Sequence, residues 1–325
     1  MRVGVDTTPL ALTRAGTARY LRNLLARLEP EAGVERIAFA GPGRAAVLAR
    51  ELVWYPHLLG PLAARRGLDV LHCPTYYAPV SSGVPVVVTV HDLAVWRHPE
   101  AFGRWTRLFV PRAVPRMLRG AARVIAVSEF TRRELVELLG VPAERIRVVP
   151  NGVEAVFRPD GDAVEGEYVL AVGTLEPRKN LRRLAEAARL AGRELWVAGD
   201  AGWGGVELPG VRRLGRVSDE ELARLLRGAL CLAYPSLYEG FGIPVLEAMA
   251  CGTPVVTSRG GATEEVAGGA AVLVDPLDPE AIAAGLEEAV AGRDELRGRG
   301  LARAAAFTWD ETARGTLDVY REVSG

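Results

Sequence analysis

Along the chain, short apolar runs rich in Val, Ile and Leu alternate with segments whose apolar residues recur every three or four positions. The runs predict strands and the periodic segments predict helices. In the first half the strand candidates are VGVD (3–6), RIAFAG (36–41), DVLHCP (69–74), VPVVVTVHD (84–92), RVIAVS (123–128) and RIRVVP (145–150). Helical spacing covers 18–28 and 131–139, the latter capped by Ser128. The second half offers YVLAVG (168–173), ELWVAG (194–199), ALCLAYPS (229–236), PVVTS (254–258) and AAVLVDP (270–276). Between these lie 181–190, a segment opened by the capping box Ser218-Asp219-Glu220-Glu221, and 279–290 after Asp278. Nearly continuous apolar strands separated by helices predict parallel sheets covered on both faces. Two such series in one chain predict an α/β protein of two doubly wound domains.

The break between the series is FRPDGDAVEGEY (157–168), which has the composition of a linker. The expected domains are therefore 1–157 and 158–309, in keeping with a length of 325 residues. No apolar run approaches the roughly 18 residues that span a bilayer, and the N-terminus reads as a first strand and not as a signal peptide. Cys73, Cys231 and Cys251 are far apart and have no metal-ligand spacing, so a cytoplasmic, disulfide-free protein is expected.

Charge and composition change this picture in two ways. The formal charge is zero, yet residues 1–157 carry 21 Arg against 13 Asp and Glu, and the remainder carries 19 Lys and Arg against 27. A first half with a net charge of +8 points to a phosphorylated acceptor or a membrane surface, or to compositional drift on a solvated face. No nucleic-acid partner is expected. The chain also holds 39 Arg but one lysine, Lys179, with no glutamine and three asparagines. Against that bias, Pro177-Arg178-Lys179-Asn180 suggests that an ammonium and an amide are needed there.

The densest chemistry lies in YPSLYEGFGIPVLEAMACGTPVV (234–256). A buried strand ends near Pro235, a glycine-containing loop follows, a helix begins near Pro244 and Gly252 ends it. Ligands of doubly wound sheets bind outside the carboxyl ends of the strands. The amides of Phe241 to Val245 would there face an anion, which the helix dipole favours. Gly240 and Gly242 leave room for a diphosphate to approach the backbone. Glu239 and Glu247, the latter expected in the first helical turn, suit sugar or ribose hydroxyls. Acids in a first turn also occur for the dipole alone, so this pattern by itself leaves a purely structural reading open.

Glu239-Gly-Phe-Gly-Ile-Pro-Val-Leu-Glu247 resembles the two-glutamate signature of retaining glycosyltransferases of family 4, group 1, which have the GT-B fold. VGTLEPRKNL (172–181), VIAVSEFTRREL (124–135), IRVVPNGVE (146–154), TVHDL (89–93) and RAGTARYLRNLLARL (14–28) extend the resemblance over most of the chain. It implies two Rossmann-like domains facing a cleft, a nucleotide-sugar donor held mainly by the second, no metal or other cofactor, and retained anomeric configuration. It also implies that the last helical segment, about 310–325, packs back on the first domain. By the same resemblance Glu247 would bind the donor ribose and Glu239 the transferred sugar. The amides of Phe241, Gly242 and Ile243 would meet sugar or diphosphate, and Lys179 with Arg178 would neutralise the leaving diphosphate. Related enzymes often carry arginine after the strand-end glycine; here that position, after Gly173, is Thr174, which shifts weight to Arg178. The HDL and EPRKN variants are similar to mannosyl- and rhamnosyl-transferring members, which makes GDP-mannose the first expected donor. Base choice would fall to loops such as 199–216.

In the first half, His91 ends an apolar strand at a carboxyl edge. That position suits a satisfied structural histidine, while the resemblance implies contact with the transferred sugar; Asp92 adjoins it. Gly16 would let backbone approach donor phosphate or acceptor, or is simply a permissive turn. His72 and Asn151 are weaker candidates. The stretch 97–123 holds seven arginines among large apolar residues, which suits either peripheral contact with anionic lipid at the inner membrane face or a kinked helix packed on its own domain. Pro111 and Pro115 weaken the first of these. The lipid reading would make the acceptor lipid-linked; otherwise a glycan is expected. The rivals are a sugar-nucleotide epimerase or phosphorylase of related fold and a non-catalytic nucleotide-sugar binder.

Overall fold

A computed structural model describes residues 1–12, 16–39, 41, 43–202 and 208–325. The chain divides into two compact units, Met1–Asn151 with Trp309–Gly325, and Gly152–Thr308.

The first unit holds β1 (Arg2–Asp6), β2 (Gly33–Ile37), β3 (Val70–Cys73), β4 (Val86–Val90), β5 (Arg123–Ala126) and β6 (Ile146–Val148), all parallel, in the order β2-β1-β3-β4-β5-β6. Alternate residues serve opposite faces, as the two-residue period of a strand requires. Val3, Val5, Val70 and Val87 pack with the helices Gly16–Leu28 and Trp309–Ser324. Leu71, Val86, Val88 and Val124 join the core of the other face, with Val110, Val114 and Met117 of the helix Arg104–Gly120. The helix Trp309–Ser324 belongs to this unit, with Trp309 and Tyr320 buried in its core. Thr312 ties it further, donating to the carbonyl of Pro150 at 2.7 Å.

The second unit holds β7 (Tyr168–Val172), β8 (Glu194–Ala198), β9 (Arg212–Gly215), β10 (Cys231–Tyr234), β11 (Val255–Ser258) and β12 (Val272–Val274), parallel, in the order β12-β11-β10-β7-β8-β9. The chain leaves β7 toward β8 on one side and returns to β10 on the other. The carboxyl ends of β7 and β10 therefore flank a topological switch point, the usual place for a ligand in such sheets.

Several expectations shift. The strand read at 36–41 is displaced to Gly33–Ile37, and residue 40 lies outside the described residues. β9 was not foreseen, because its RRLG sequence has no apolar alternation to mark an edge strand. The unit boundary falls after Asn151 and not after 157. The polar segment read as a linker belongs to the second unit: the Val164 amide donates to the Arg224 carbonyl at 3.1 Å, and Arg227 donates to the Asp162 carbonyl at 2.7 Å. Its polar composition reflects exposure and not freedom. The helix Arg104–Gly120 runs through both Pro111 and Pro115. Among the described residues no helix is long and apolar enough to cross a membrane. The cysteines are unpaired and buried.

Candidate active site

The second unit gathers its chemistry at the switch point. After β7 the chain turns at Gly173, whose φ of +144° suits glycine, and a Cβ there would lie 3.1 Å from Lys179 Cε. The lysine stem thus lies directly over a bare backbone. Residues Pro177–Lys179 form a single 3-10 turn, and Asn180 follows in the left-handed region at φ 59°. Its side-chain amide donates to the carbonyls of Pro235 (3.0 Å) and Pro276 (2.6 Å). This explains why an asparagine persists beside the lone lysine: it fixes the turn against the loop after β10. A further backbone bond, from the Leu237 amide to the Arg178 carbonyl at 2.8 Å, joins the same two loops.

Their junction places one carboxylate among three donors. Lys179 Nζ donates to Glu239 Oε1 at 2.7 Å and to the Tyr234 hydroxyl at 2.7 Å, and that hydroxyl donates to Glu239 Oε1 at 3.0 Å. Arg178 Nη1 donates to Glu239 Oε2 at 3.0 Å and to the Tyr238 carbonyl at 2.6 Å, while Nη2 donates to Glu176 Oε1 at 2.6 Å. Burial alone would push the Glu239 carboxyl up, but the adjacent Lys179 and Arg178 charges overcome it and hold the group at about 2. Burial would likewise lower Lys179, and Glu239 reverses this and holds it well above the ordinary lysine range. Burial and the Glu239 charge push the Tyr234 hydroxyl up to about 12, so it stays a neutral donor. The dipole disfavours cations at a helix start unless an anion is close, and here Glu239 and Glu176 supply it. Sequence reasoning missed Tyr234 and Glu176. Tyr234 closes a buried strand and reads as core, and Glu176 stands two residues before Arg178 among ordinary surface charges. Thr174 is exposed at the end of β7.

The helix Ile243–Ala250 opens after Gly242, which takes φ +103° at the N-cap; a Cβ there would stand 2.8 Å from Thr263 Cγ2. Phe241 is buried and Ile243 half-buried at this entry. The Val245 amide is already bonded to the Gly242 carbonyl at 3.0 Å, which removes it from the expected anion-facing set. Glu247 is not in the first turn, contrary to expectation, but in the next one, 1% exposed in an otherwise apolar helix. The dipole therefore does not account for it. Burying a carboxylate so deeply is costly unless it is paired or hydrogen-bonded.

In the first unit, His91 follows β4 and donates from Nε2 to the Pro74 carbonyl at 3.1 Å, with the Tyr20 ring against it edge-on at 4.8 Å. Burial lowers its pKa, so at neutral pH Nδ1 carries a lone pair. Asp92 Oδ1 accepts from the Ala94 amide at 2.9 Å and so caps the turn that follows. His72 is fully buried between Thr89 (Nε2, 2.8 Å) and Tyr320 (Nδ1, 2.6 Å), which makes it a core histidine. Gly16 opens its helix, and a Cβ there would meet nothing within 4 Å. Asn151 is buried at the unit boundary. Among the described residues no group of three or more His, Cys, Asp or Glu is placed to hold a metal ion.

Comparison with known proteins identifies the family. Residues 166–291 match the family described as glycosyl transferases group 1, and residues 14–157 match glycosyltransferase family 4. The O-antigen chain mannosyltransferase B of Escherichia coli is 33% identical over 282 residues, covering 78% of this chain and 74% of that protein. A D-inositol 3-phosphate glycosyltransferase of Acidothermus cellulolyticus is 35% identical over 285 residues, covering 74% of this chain and 62% of that one. Among solved structures, the sucrose-phosphate synthase of Thermosynechococcus elongatus superposes with a TM-score of 0.79 at 19% identity, covering 99% of this chain and 98% of that one. With the GT-B fold and both halves of the family pattern in one chain, this protein belongs to the group 1, family 4 glycosyltransferases.

Proposed function

We propose that this glycosyltransferase transfers a hexose from a nucleotide sugar to a glycan or lipid-linked acceptor with retained anomeric configuration, and that the donor is GDP-mannose. The observation that carries the reading is the Glu239 carboxylate held ionised among Lys179, Arg178 and Tyr234 at the switch point. A carboxylate whose oxygens already accept three donors suits the holding of sugar hydroxyls better than attack at carbon. The chemistry this favours is front-face transfer. The bond from the anomeric carbon to the phosphate oxygen breaks, the acceptor oxygen bonds on the same face, and its proton passes to the departing phosphate. Lys179 and Arg178 supply the positive charge that the leaving diphosphate needs, and fixed charges help most where charge develops. In this reading no metal is required. Glu247 would hold the ribose, the amides of Phe241, Gly242 and Ile243 the diphosphate or sugar, and Thr174 would border the phosphates.

Mannose is supported by the likeness to the O-antigen chain mannosyltransferase. The likeness to the D-inositol 3-phosphate enzyme makes that phosphate the second acceptor to test, and the positive charge of the first half fits an anionic acceptor. Peripheral contact with anionic lipid at the inner face of the membrane is supported by the helix Arg104–Gly120, which carries five arginines and no acid and exposes Trp105 and Leu108. The deciding experiment is a thermal-shift panel of GDP-, UDP-, ADP- and dTDP-sugars on wild type and Glu247→Ala. A ligand selective for the folded state raises Tm according to its affinity. The expected result is a rise with GDP-mannose that the variant loses. No rise with any sugar nucleotide would overturn the donor reading.

A further inference from the structure

We propose that Tyr20 is the positioning residue for His91, and that the helix Trp309–Ser324 anchors Tyr20 through a buried line of hydroxyl and imidazole groups. The inference rests on the reading of His91 as a sugar-contacting residue. Its geometry, however, stands by itself.

The line begins on the C-terminal helix. Tyr320 OH meets His72 Nδ1 at 2.6 Å, His72 Nε2 meets Thr89 Oγ1 at 2.8 Å, and Thr89 Oγ1 meets Tyr20 OH at 3.2 Å. Tyr20, His72, Thr89 and Tyr320 are all buried. Burial keeps His72 neutral down to about pH 3, so one of its ring nitrogens donates and the other accepts. The three bonds of the line therefore run in one common sense, and His72 is held to a single tautomer. Unsatisfied buried polar groups are expensive, so a fully used line is rigid.

What the line holds is the Tyr20 ring, which stands edge-on at 78° to the His91 imidazole. The second hold on His91 is the Pro74 carbonyl, two residues after His72 and just past the end of β3. Both restraints on the His91 ring therefore trace back to elements that His72 ties together. Pinned through Nε2, His91 presents Nδ1 as an acceptor for a sugar hydroxyl. The titratable groups around it are Asp92, His72 and Tyr20.

The chain has four histidines, so nitrogen-15 labelling of the imidazoles resolves each ring in the intact protein without any ligand. In wild type His72 and His91 should each show a single tautomer, that of His91 protonated at Nε2. In Tyr20→Leu, shown to be folded by circular dichroism, His91 should move toward averaged tautomers. An unchanged His91 spectrum there would overturn the proposal. Should that variant not fold, Tyr320→Phe removes one hydroxyl only. It should disturb His72 and His91 together, and a change at His72 with none at His91 would sink the anchoring. The functional arm uses GDP release from GDP-mannose. Tyr20→Leu should lower kcat about tenfold with little change in KM, and should add no further loss in a His91→Ala background. A wild type that does not turn over GDP-mannose would strike the donor reading alone, since the ring-nitrogen spectra decide the positioning separately.

Discussion

The single lysine of this chain stands at the switch point of the second sheet. Lys179 is held over Gly173, bonded to Glu239 and Tyr234, and kept cationic by the carboxylate beside it. Lys179→Ala should lower kcat by about 100-fold, the scale of losing one fixed charge-stabilising donor, while the circular dichroism spectrum stays unchanged. Wild-type turnover in that variant would remove Lys179 from the chemistry. Glu239 allows a test that needs no substrate. Its folded pKa, about 2, lies below the ordinary 4.5, so its contribution to stability is complete above pH 4.5 and is lost as pH falls toward 2. Urea midpoints followed from pH 5 to pH 2.5 should fall less steeply in Glu239→Gln than in wild type. These residues were legible in unequal measure. The family pattern gave Glu239, Glu247, Lys179 and Arg178 by position, but no spacing rule could reveal that Lys179 and Arg178 both bind Glu239, because their proximity is made by the switch-point topology.

At the scale of elements, strands buried on both faces announced themselves as apolar runs, and these gave the parallel, doubly wound architecture directly. Elements with one exposed side did not. β9, with two arginines in four residues, carries no alternation that a reader could detect. The helix Arg104–Gly120 keeps its course past two prolines because Val110, Val114, Met117 and Leu118 are fixed in the core, so packing overrides local propensity. The helix Trp309–Ser324 illustrates the reverse. It follows a second series of elements that is already complete, and the resemblance pointed to the unit on which it packs. Trp309 is 1% exposed in the core shared with Tyr20 and Leu24, so Trp309→Ala should destabilise the first unit by about 3–5 kcal/mol in urea denaturation. A loss below about 1 kcal/mol would mean that the helix is not part of that core.

At the scale of the molecule, the zero net charge conceals two halves of opposite sign, and the basic half contains the arginine helix with exposed Trp105 and Leu108. Basic residues beside exposed aromatic and aliphatic side chains favour an anionic bilayer surface. The protein should float with vesicles containing phosphatidylglycerol at low salt, remain behind with phosphatidylcholine alone, and lose flotation on Trp105→Ser with Leu108→Ser. Flotation unaffected by those substitutions would place the contact elsewhere. A different consequence follows from the path of the chain, which leaves the first unit after Asn151 and re-enters it at Trp309. Just inside those two points the inserted segment closes on itself, the Val153 amide bonding to the Phe307 carbonyl at 3.1 Å and Val153 pairing with Thr308. In genetic terms the second unit is a cassette with adjoining ends. Exchange of this cassette between relatives takes two crossovers, one at each seam. A single crossover at 151/152 would graft a foreign Trp309–Ser324 helix onto the resident first unit, and the hybrid would carry its flaw in the fold and not in the transferred chemistry.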